Sequence, residues 1–305
     1  MARKRRPRAG VLSRWLYYNR MSDEIPWRRE CDCPDNHVSC LSAKEWVKRQ
    51  IGIWRVRFCK SDIRDKSVHP ATFPVELANM VITTFTHAGE LVLDPFVGSG
   101  TTALSCAAHE RSCVGVDLNP EYVEVARKRM PPPSMHSGAQ TKIIEGDSRN
   151  VASMVAPGTV KLLFTSPPYS LSLSRKKQAL SSRQRKKHGE GKDWRYSDDP
   201  MDLGNLAPEE FKLALDEVLS SAKPTLRKDA HVVINIGDLY MDGKFYPLHA
   251  GVIEAATSAG FSLRNTIIWD RLPLLNNTGI FGYPSNFITI GTSFEYLLHF
   301  VPNQV

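Results

Sequence analysis

Short apolar runs alternate with longer stretches of helical period over most of the chain. Pro74 to Phe85 reads as a helix opened by proline, whose fixed φ suits a first turn. Glu90-Leu-Val-Leu93 reads as a short strand, and Ala103 to His109 as a small-residue helix. A strand at 113–117 and a helix at 120–129 follow. That helix carries acid early and base late, as the helix dipole favours. Pro131-Pro-Pro133 stops it. Strands are predicted near 142–145 and 160–165. Pro208 to Ala222 places Phe211, Leu215, Val218 and Leu219 on one helical face. His231–Ile236 reads as a buried strand, 250–259 as a helix, and Ser262–Trp269 as a further strand. Alternating strands and helices predict an α/β domain with a mostly parallel sheet. Residues 9–65 show no clear period, and 170–207 form a long loop of the kind that serves as a lid or stays disordered.

Two strings interrupt this pattern with chemistry. Ser166-Pro167-Pro168-Tyr169 follows the apolar run 160–165. Two prolines cannot extend a strand, so they make a stiff exit with free carbonyls. Ser166 adds a small polar group and Tyr169 a flat ring. Open α/β sheets bind ligands at this rim, and the set suits a planar substrate with an exocyclic amine. The second string is Asp94-Pro95-Phe96-Val97-Gly98-Ser99-Gly100-Thr101-Thr102. Its glycines allow a tight turn and close ligand approach, and the helix that follows offers unpaired N–H groups. Asp117 ends the next strand, where a ribose-binding acid is expected. Alone, this turn fits NAD, FAD or S-adenosylmethionine.

Together, the two strings resemble those of the S-adenosylmethionine-dependent amino-methyltransferases that act on exocyclic nitrogens of DNA bases. The resemblance implies a Rossmann-like methyltransferase fold, with a mostly parallel seven-stranded sheet and helices on both faces. It implies that Asp94, Phe96, Gly98, Gly100, Thr101, Thr102 and Asp117 bind S-adenosylmethionine. It further implies that Ser166, Pro167, Pro168 and Tyr169 form the catalytic site. Ile143-Ile-Glu-Gly-Asp147-Ser148 is similar to the acidic turn contacting the cofactor's adenine, so Asp147 joins the cofactor set. His69-Pro-Ala-Thr-Phe73-Pro is similar to the motif closing over the cofactor, which adds Phe73. His69 itself reads as structural. Ile267-Ile-Trp269 and Glu295–Phe300 resemble the last two strands of the catalytic sheet, and Ile53-Trp-Arg55 the run leading into His69. The matches cover roughly residues 66–301. Here the cofactor turn precedes the tetrapeptide, whereas the subgroup most resembled usually has the reverse order. A circular permutation explains that.

Composition and charge narrow the partners. At 305 residues with 42% hydrophobic content, the chain can bury one large domain plus an appendage. The expected division is a basic arm and small appendage at 1–65 and a catalytic domain at 66–305. No apolar run reaches the ~20 residues of a membrane span. The basic N-terminus lacks an apolar signal core. These features predict a cytoplasmic, nucleoid-associated enzyme with no membrane partner. Residues 171–195 carry +7 and residues 1–8 carry +5, while the whole chain carries only +8. The remainder is therefore acidic, and the basicity is confined to two segments. The one that follows the tetrapeptide predicts contact with double-stranded DNA through Arg175, Lys176, Lys177, Arg183, Arg185, Lys186 and Lys187. Leu272–Ile290 is also expected to face DNA, with the N-terminal region joining it.

The reaction follows from the amine. Its lone pair is delocalised, and acceptors around its hydrogens localise it; Ser166 Oγ and the Pro167 carbonyl are the candidates. Tyr169 stacks on the base. Positioning does most of the catalysis, and a duplex base must flip out to be reached. Family members with Ser at the first position mostly act on cytosine N4, which favours that atom over adenine N6; Thr165 fits the same pattern. Cytosine C5 chemistry needs a cysteine nucleophile, normally in a Pro-Cys pair, and this chain has no such pair. The family's usual setting is a restriction–modification pair with a cognate endonuclease. An RNA amine methyltransferase and a non-catalytic DNA-binding protein are the rival classes. Oligomeric state stays open. Cys31, Cys33, His37 and Cys40 offer four zinc ligands, but Cys-x-Cys is tight for a chelate. Reduced loop thiols are the favoured reading, so no metal is expected. Asp238 and Asp242 read as turn or cap residues.

Overall fold

A computed structural model describes residues 25–58, 73–132, 138–168, 199–200, 202–241, 244–271 and 293–303. The apolar runs become strands β1 (Ile53–Arg55), β2 (Leu91–Asp94), β3 (Ser112–Asp117), β4 (Thr141–Glu145), β5 (Val160–Thr165), β6 (Leu226–Ile236), β7 (Leu239–Met241), β8 (Lys244–Tyr246), β9 (Phe261–Asp270) and β10 (Phe294–Pro302). The periodic stretches become helices α1 (Ala43–Arg49), α2 (Val75–Phe85), α3 (Thr101–Ala108), α4 (Pro120–Arg129), α5 (Pro208–Ala222) and α6 (Leu248–Ser258).

The main sheet has eight strands in the order β1-β9-β10-β6-β5-β2-β3-β4. β10 runs antiparallel to both its neighbours, and the other pairings are parallel. Seven of these strands make the Rossmann-like methyltransferase arrangement. The eighth, β1, corrects the expected count: it adds to the outer edge of β9 through Ile53↔Ile268, Trp54↔Trp269 and Arg55↔Asp270. Only Trp54 of its three residues is buried, so the run is too short to show a period in sequence. β7 and β8 form a separate hairpin where the sequence reads as a loop. The boundary expected near residue 65 lies outside the described residues.

Alternate residues of the central strands feed two cores. Leu91, Leu93, Val114, Val116 and Leu163 pack with α5 and α6 through Phe211, Leu215, Leu219, Val252 and Ala255. Val92, Cys113, Leu162 and Phe164 face the other way, against Leu77 and Val81 of α2, Ala103 and Cys106 of α3, and Val123 and Ala126 of α4. A strand buried on both faces reads as a continuous apolar run, which is why β2 and β5 show no alternation. Helices therefore cover both faces, and the strand ends are left to build a site.

The chain moves from β2 outward to β3 and β4, then returns to β5 on the other side of β2. The reversal lies between β2 and β5, and a crevice opens there at the strands' C-terminal ends. The turn after β2 has to bend sharply into α3. Gly98 has φ 51° and Gly100 φ 87°, in the left-handed region that disfavours a Cβ. A Cβ at Gly100 would also lie 3.0 Å from Ala126 Cβ on α4. Gly100→Ala should therefore destabilise the fold by about 1–2 kcal/mol from the backbone alone. A lowered urea midpoint at unchanged slope is the expected result.

Candidate active site

The two motif strings meet at this crevice. Asp94 ends β2, is 1% exposed, and is reached by two donors: the Thr165 hydroxyl at 2.6 Å and the Phe96 N–H at 3.0 Å, both to Oδ1. Thr165 is the last residue of β5 and directly precedes Ser166. One hydrogen bond thus ties the glycine turn to the double-proline corner. Asp117 ends β3 and folds back under the turn. Its Oδ2 accepts from the Gly98 N–H at 2.8 Å, and its Oδ1 from the Asn119 N–H at 2.9 Å. Thr101 and Thr102 lie buried in the first turn of α3.

The crevice is electrostatically negative. Burial pushes Asp94 up to about 6, against the hydrogen bonds it accepts. Burial likewise pushes Asp117 to about 6, and the nearby Asp94 and Asp202 carboxylates add to this. Tyr122 of α4 is raised to about 12, by burial and then by Asp117 and Asp202. Desolvated carboxylates with mutual repulsion favour a cationic ligand, which relieves both costs. Asp202 enters this group from a segment far along the chain, where it caps the short turn Leu203–Asn205 through the Gly204 N–H at 2.8 Å.

Other expected cofactor residues stand nearby in the chain's topology. Asp147 follows β4 and caps the short helix Ser148–Ser153 through the Arg149 N–H at 2.9 Å. It also pairs with the Arg149 guanidinium at 2.7 Å. Burial alone would raise its pKa, but Arg149 holds it below the ordinary value. In the structure its carboxylate thus serves its own turn and Arg149. Next to it, the buried Ser148 hydroxyl donates to the Pro95 carbonyl, tying this turn to the glycine turn. Phe73, just before α2, packs on Phe164 of β5 with ring centroids 5.2 Å apart.

At the other side of the crevice, Ser166 is half-buried and Pro167 buried. The Asn235 side-chain amide, on β6, donates to Ser166 Oγ at 3.4 Å and to Glu295 Oε2 of β10 at 2.7 Å. Arg271, just past β9, pairs with Glu295 Oε1. Asn235 thus backs the Ser166 hydroxyl directly, with Glu295 and Arg271 behind it. Asn235, Glu295, Arg271 and Asp202 were missed in the sequence. Asn235 carried the clearest signal, a polar amide inside the apolar run 232–236, which needs a partner once buried. Asp238, expected to cap, accepts from the His249 backbone N–H at 3.2 Å and the His249 ring at 2.7 Å, at the start of α6.

Tyr169, His69, Asp242, the basic residues from Arg175 to Lys187, the arm at 1–8 and the stretch Leu272–Ile290 lie outside the described residues. Among the described residues, no helix is long and apolar enough to cross a membrane.

A family model described as DNA methylase matches residues 16–128 and 160–305. The Type II methyltransferase M.Cfr9I of Citrobacter freundii is 50% identical over 62 residues, which is 20% of this chain and 21% of that protein. The Type II methyltransferase M2.DpnII of Streptococcus pneumoniae is 30% identical over 117 residues, 37% of this chain and 44% of that protein. The chain thus spans less than half the length of these relatives. A solved structure of a Thermus thermophilus protein titled as a DNA modification methylase is similar at 25% identity and TM-score 0.34, covering 52% of this chain and 53% of that one.

Thr165→Val removes the bond between the two strings and leaves the buried Asp94 with one partner fewer. A loss of about 1–3 kcal/mol is expected in denaturant unfolding. Thr165→Ser should recover most of it, because the hydroxyl returns.

Proposed function

The chain belongs to the DNA methylase family, and on that premise we propose that it transfers a methyl group from S-adenosylmethionine to the exocyclic N4 amine of cytosine in double-stranded DNA. The observation that carries this reading is the 2.6 Å bond from Thr165 to Asp94. It brings the glycine turn and the Ser166 corner to the same crevice, whatever their order along the chain. A donor held at one side then faces an amine held at the other.

The donor is a cation, and the crevice suits one. Asp94 and Asp117 hold the turn and offer negative charge, and Asp117 stands where a ribose diol is expected. Phe96, Gly98, Gly100, Thr101 and Thr102 line the turn, while Phe73 and Asp147 flank it. When bound, the donor supplies an electrophilic methyl group on a positive sulfur. Its sulfur would leave as a neutral thioether, so no strong acid is needed, and the methylated nitrogen would release one proton to water.

The protein's task is to make the amine nucleophilic. Ser166 Oγ and the Pro167 carbonyl accept its hydrogens, which localises the nitrogen lone pair. Asn235 donates to Ser166 Oγ and is itself anchored by Glu295 and Arg271. It is a positioning residue that fixes the orientation of the hydroxyl's lone pairs. Tyr169 stacks on the flipped base. The residues Arg175, Lys176, Lys177, Arg183, Arg185, Lys186 and Lys187 grip phosphates, which makes binding salt-dependent. Ser166 in place of a carboxylate favours cytosine N4; adenine N6 is the alternative. The sequence relatives are named as Type II methyltransferases, and the proposed role is to protect a short site from a cognate endonuclease in the cytoplasm.

Tritiated methyl transfer to mixed DNA, followed by nucleoside analysis, tests the assignment. N4-methylcytosine is expected, and N6-methyladenine moves the target to the alternative. Label in 5-methylcytosine, or none in DNA, would overturn it. Ser166→Ala should lower turnover while leaving cofactor affinity nearly unchanged.

The raised carboxylates make cofactor binding pH-dependent. A cation binds their ionised forms, so affinity approaches its full value well above about pH 6 and falls as the pH drops through that value. Each carboxylate that must lose a proton weakens binding roughly tenfold per pH unit below its pKa. Calorimetric Kd measurements between about pH 8 and about pH 5 should show this rise. Asp117→Asn should make the dependence shallower, leaving the share of Asp94.

A further inference from the structure

We propose that Cys31, Cys33, Cys40 and His87 bind a single structural zinc ion. The ligand atoms of these four residues all lie within 4.8 Å of one another. His87 Nδ1 is 3.3 Å from Cys31 Sγ and 3.4 Å from Cys40 Sγ. A tetrahedral zinc with about 2.3 Å bonds to sulfur and about 2.0 Å to nitrogen separates such ligands by roughly 3.5 Å. The two His87–sulfur separations match that spacing, and the other ligand atoms lie within 4.8 Å of one another.

The histidine's tautomer supports the assignment. His87 Nε2 lies 3.0 Å from the His37 backbone carbonyl, which can only accept. Nε2 therefore carries the proton, and in the neutral ring Nδ1 presents its lone pair to the thiols. Ligating histidines are oriented in this way by a carbonyl behind the ring. The ring is fixed further by its own backbone, because the His87 N–H donates to Glu90 Oε2 at 2.7 Å. The sulfurs also have donors. Arg29 Nε donates to Cys31 Sγ at 3.2 Å and the Ala88 N–H to Cys40 Sγ at 3.4 Å. Three thiolates and one zinc leave a net negative charge, which the Arg29 guanidinium offsets.

The sequence pointed to His37 as the fourth ligand and favoured free thiols. In the structure His37 contributes its carbonyl, and the imidazole comes from the turn between α2 and β2. The Cys-x-Cys pair does not close the site alone, because Cys40 follows in the same segment and His87 comes from a separate one. Three protein thiols plus an imidazole make a closed site. It sits at the N-terminal end of β2, on the opposite rim of the sheet from Asp94. Its role is to fasten the segment 31–40 to the catalytic domain, beside the Glu30 N–H bond to the Ala88 carbonyl at 2.8 Å.

Elemental analysis of the full chain, grown with zinc and dialysed, should find about one zinc per molecule. Cobalt substitution should give the visible bands of a tetrahedral thiolate site. His87→Ala and Cys40→Ser should lose the metal, whereas His37→Ala should keep it. A chelator should lower the melting temperature of the wild-type chain and leave that of His87→Ala unchanged. A wild-type chain without bound transition metal, or His87→Ala retaining it, would overturn the proposal. Loss of metal from His37→Ala with retention in His87→Ala would restore the sequence-derived ligand set and overturn it equally.

Discussion

A carboxylate buried at the end of a central strand organises this protein. Asp94 is desolvated, and desolvation disfavours its charge. It is tolerated because Thr165 and the Phe96 amide donate to it. The same contacts place the end of β5 beside the end of β2 and set the first bend of the glycine turn. The backbone ladder pairs the two strands as far as Leu93 and Leu163, and the Thr165–Asp94 bond ties their ends beyond it. The crevice between them is then both a topological consequence of the strand order and an electrostatic one of the buried acid.

The two sides of the crevice are built differently. The side proposed for the cofactor is held by backbone: Gly98 and Asn119 amides bind Asp117, and left-handed glycines turn the chain into α3. Such a cradle tolerates little change in shape but needs few special side chains. The side proposed for the substrate is held by a relay of side chains, from Arg271 through Glu295 and Asn235 to Ser166. A hydroxyl is a weaker acceptor than a carboxylate, so its orientation matters more. Donors fixed in advance supply that orientation at no cost during the reaction.

The edges of the domain show a second principle. β1 extends the sheet by one strand, and the thiol–imidazole cluster pins the preceding segment to the opposite rim. The N-terminal part of the chain is therefore joined to the catalytic sheet at two places. Neither joint is strong in local sequence: β1 has three residues, and the cluster draws its histidine from about fifty residues away.

Much of the fold could be read from the chain because its physics is local. The helix at 120–129 announces itself by Asn119, Pro120, early acid and late base, and the structure caps it through the Asn119 side chain. The α5 stripe of Phe211, Leu215, Val218 and Leu219 is buried as its period requires. Helix α1 went unread although Ser42 and Glu45 form a capping box, because its seven residues bury no side chain and so show no apolar face to recognise. β6 begins at Leu226, five residues before the predicted strand. Arg227, Lys228 and Asp229 disguise its start, and ion pairs with Glu90 and Lys161 carry part of that charge. The sequence by itself determined the central strands, the glycine turn and the proline corner, since each depends on neighbouring residues and backbone stereochemistry. Only the tertiary structure decided which strand ends touch, that Asn235 and Glu295 stand behind Ser166, and that His87 rather than His37 meets the cysteines. Those choices depend on through-space distances between residues far apart in the chain, and no local pattern encodes them.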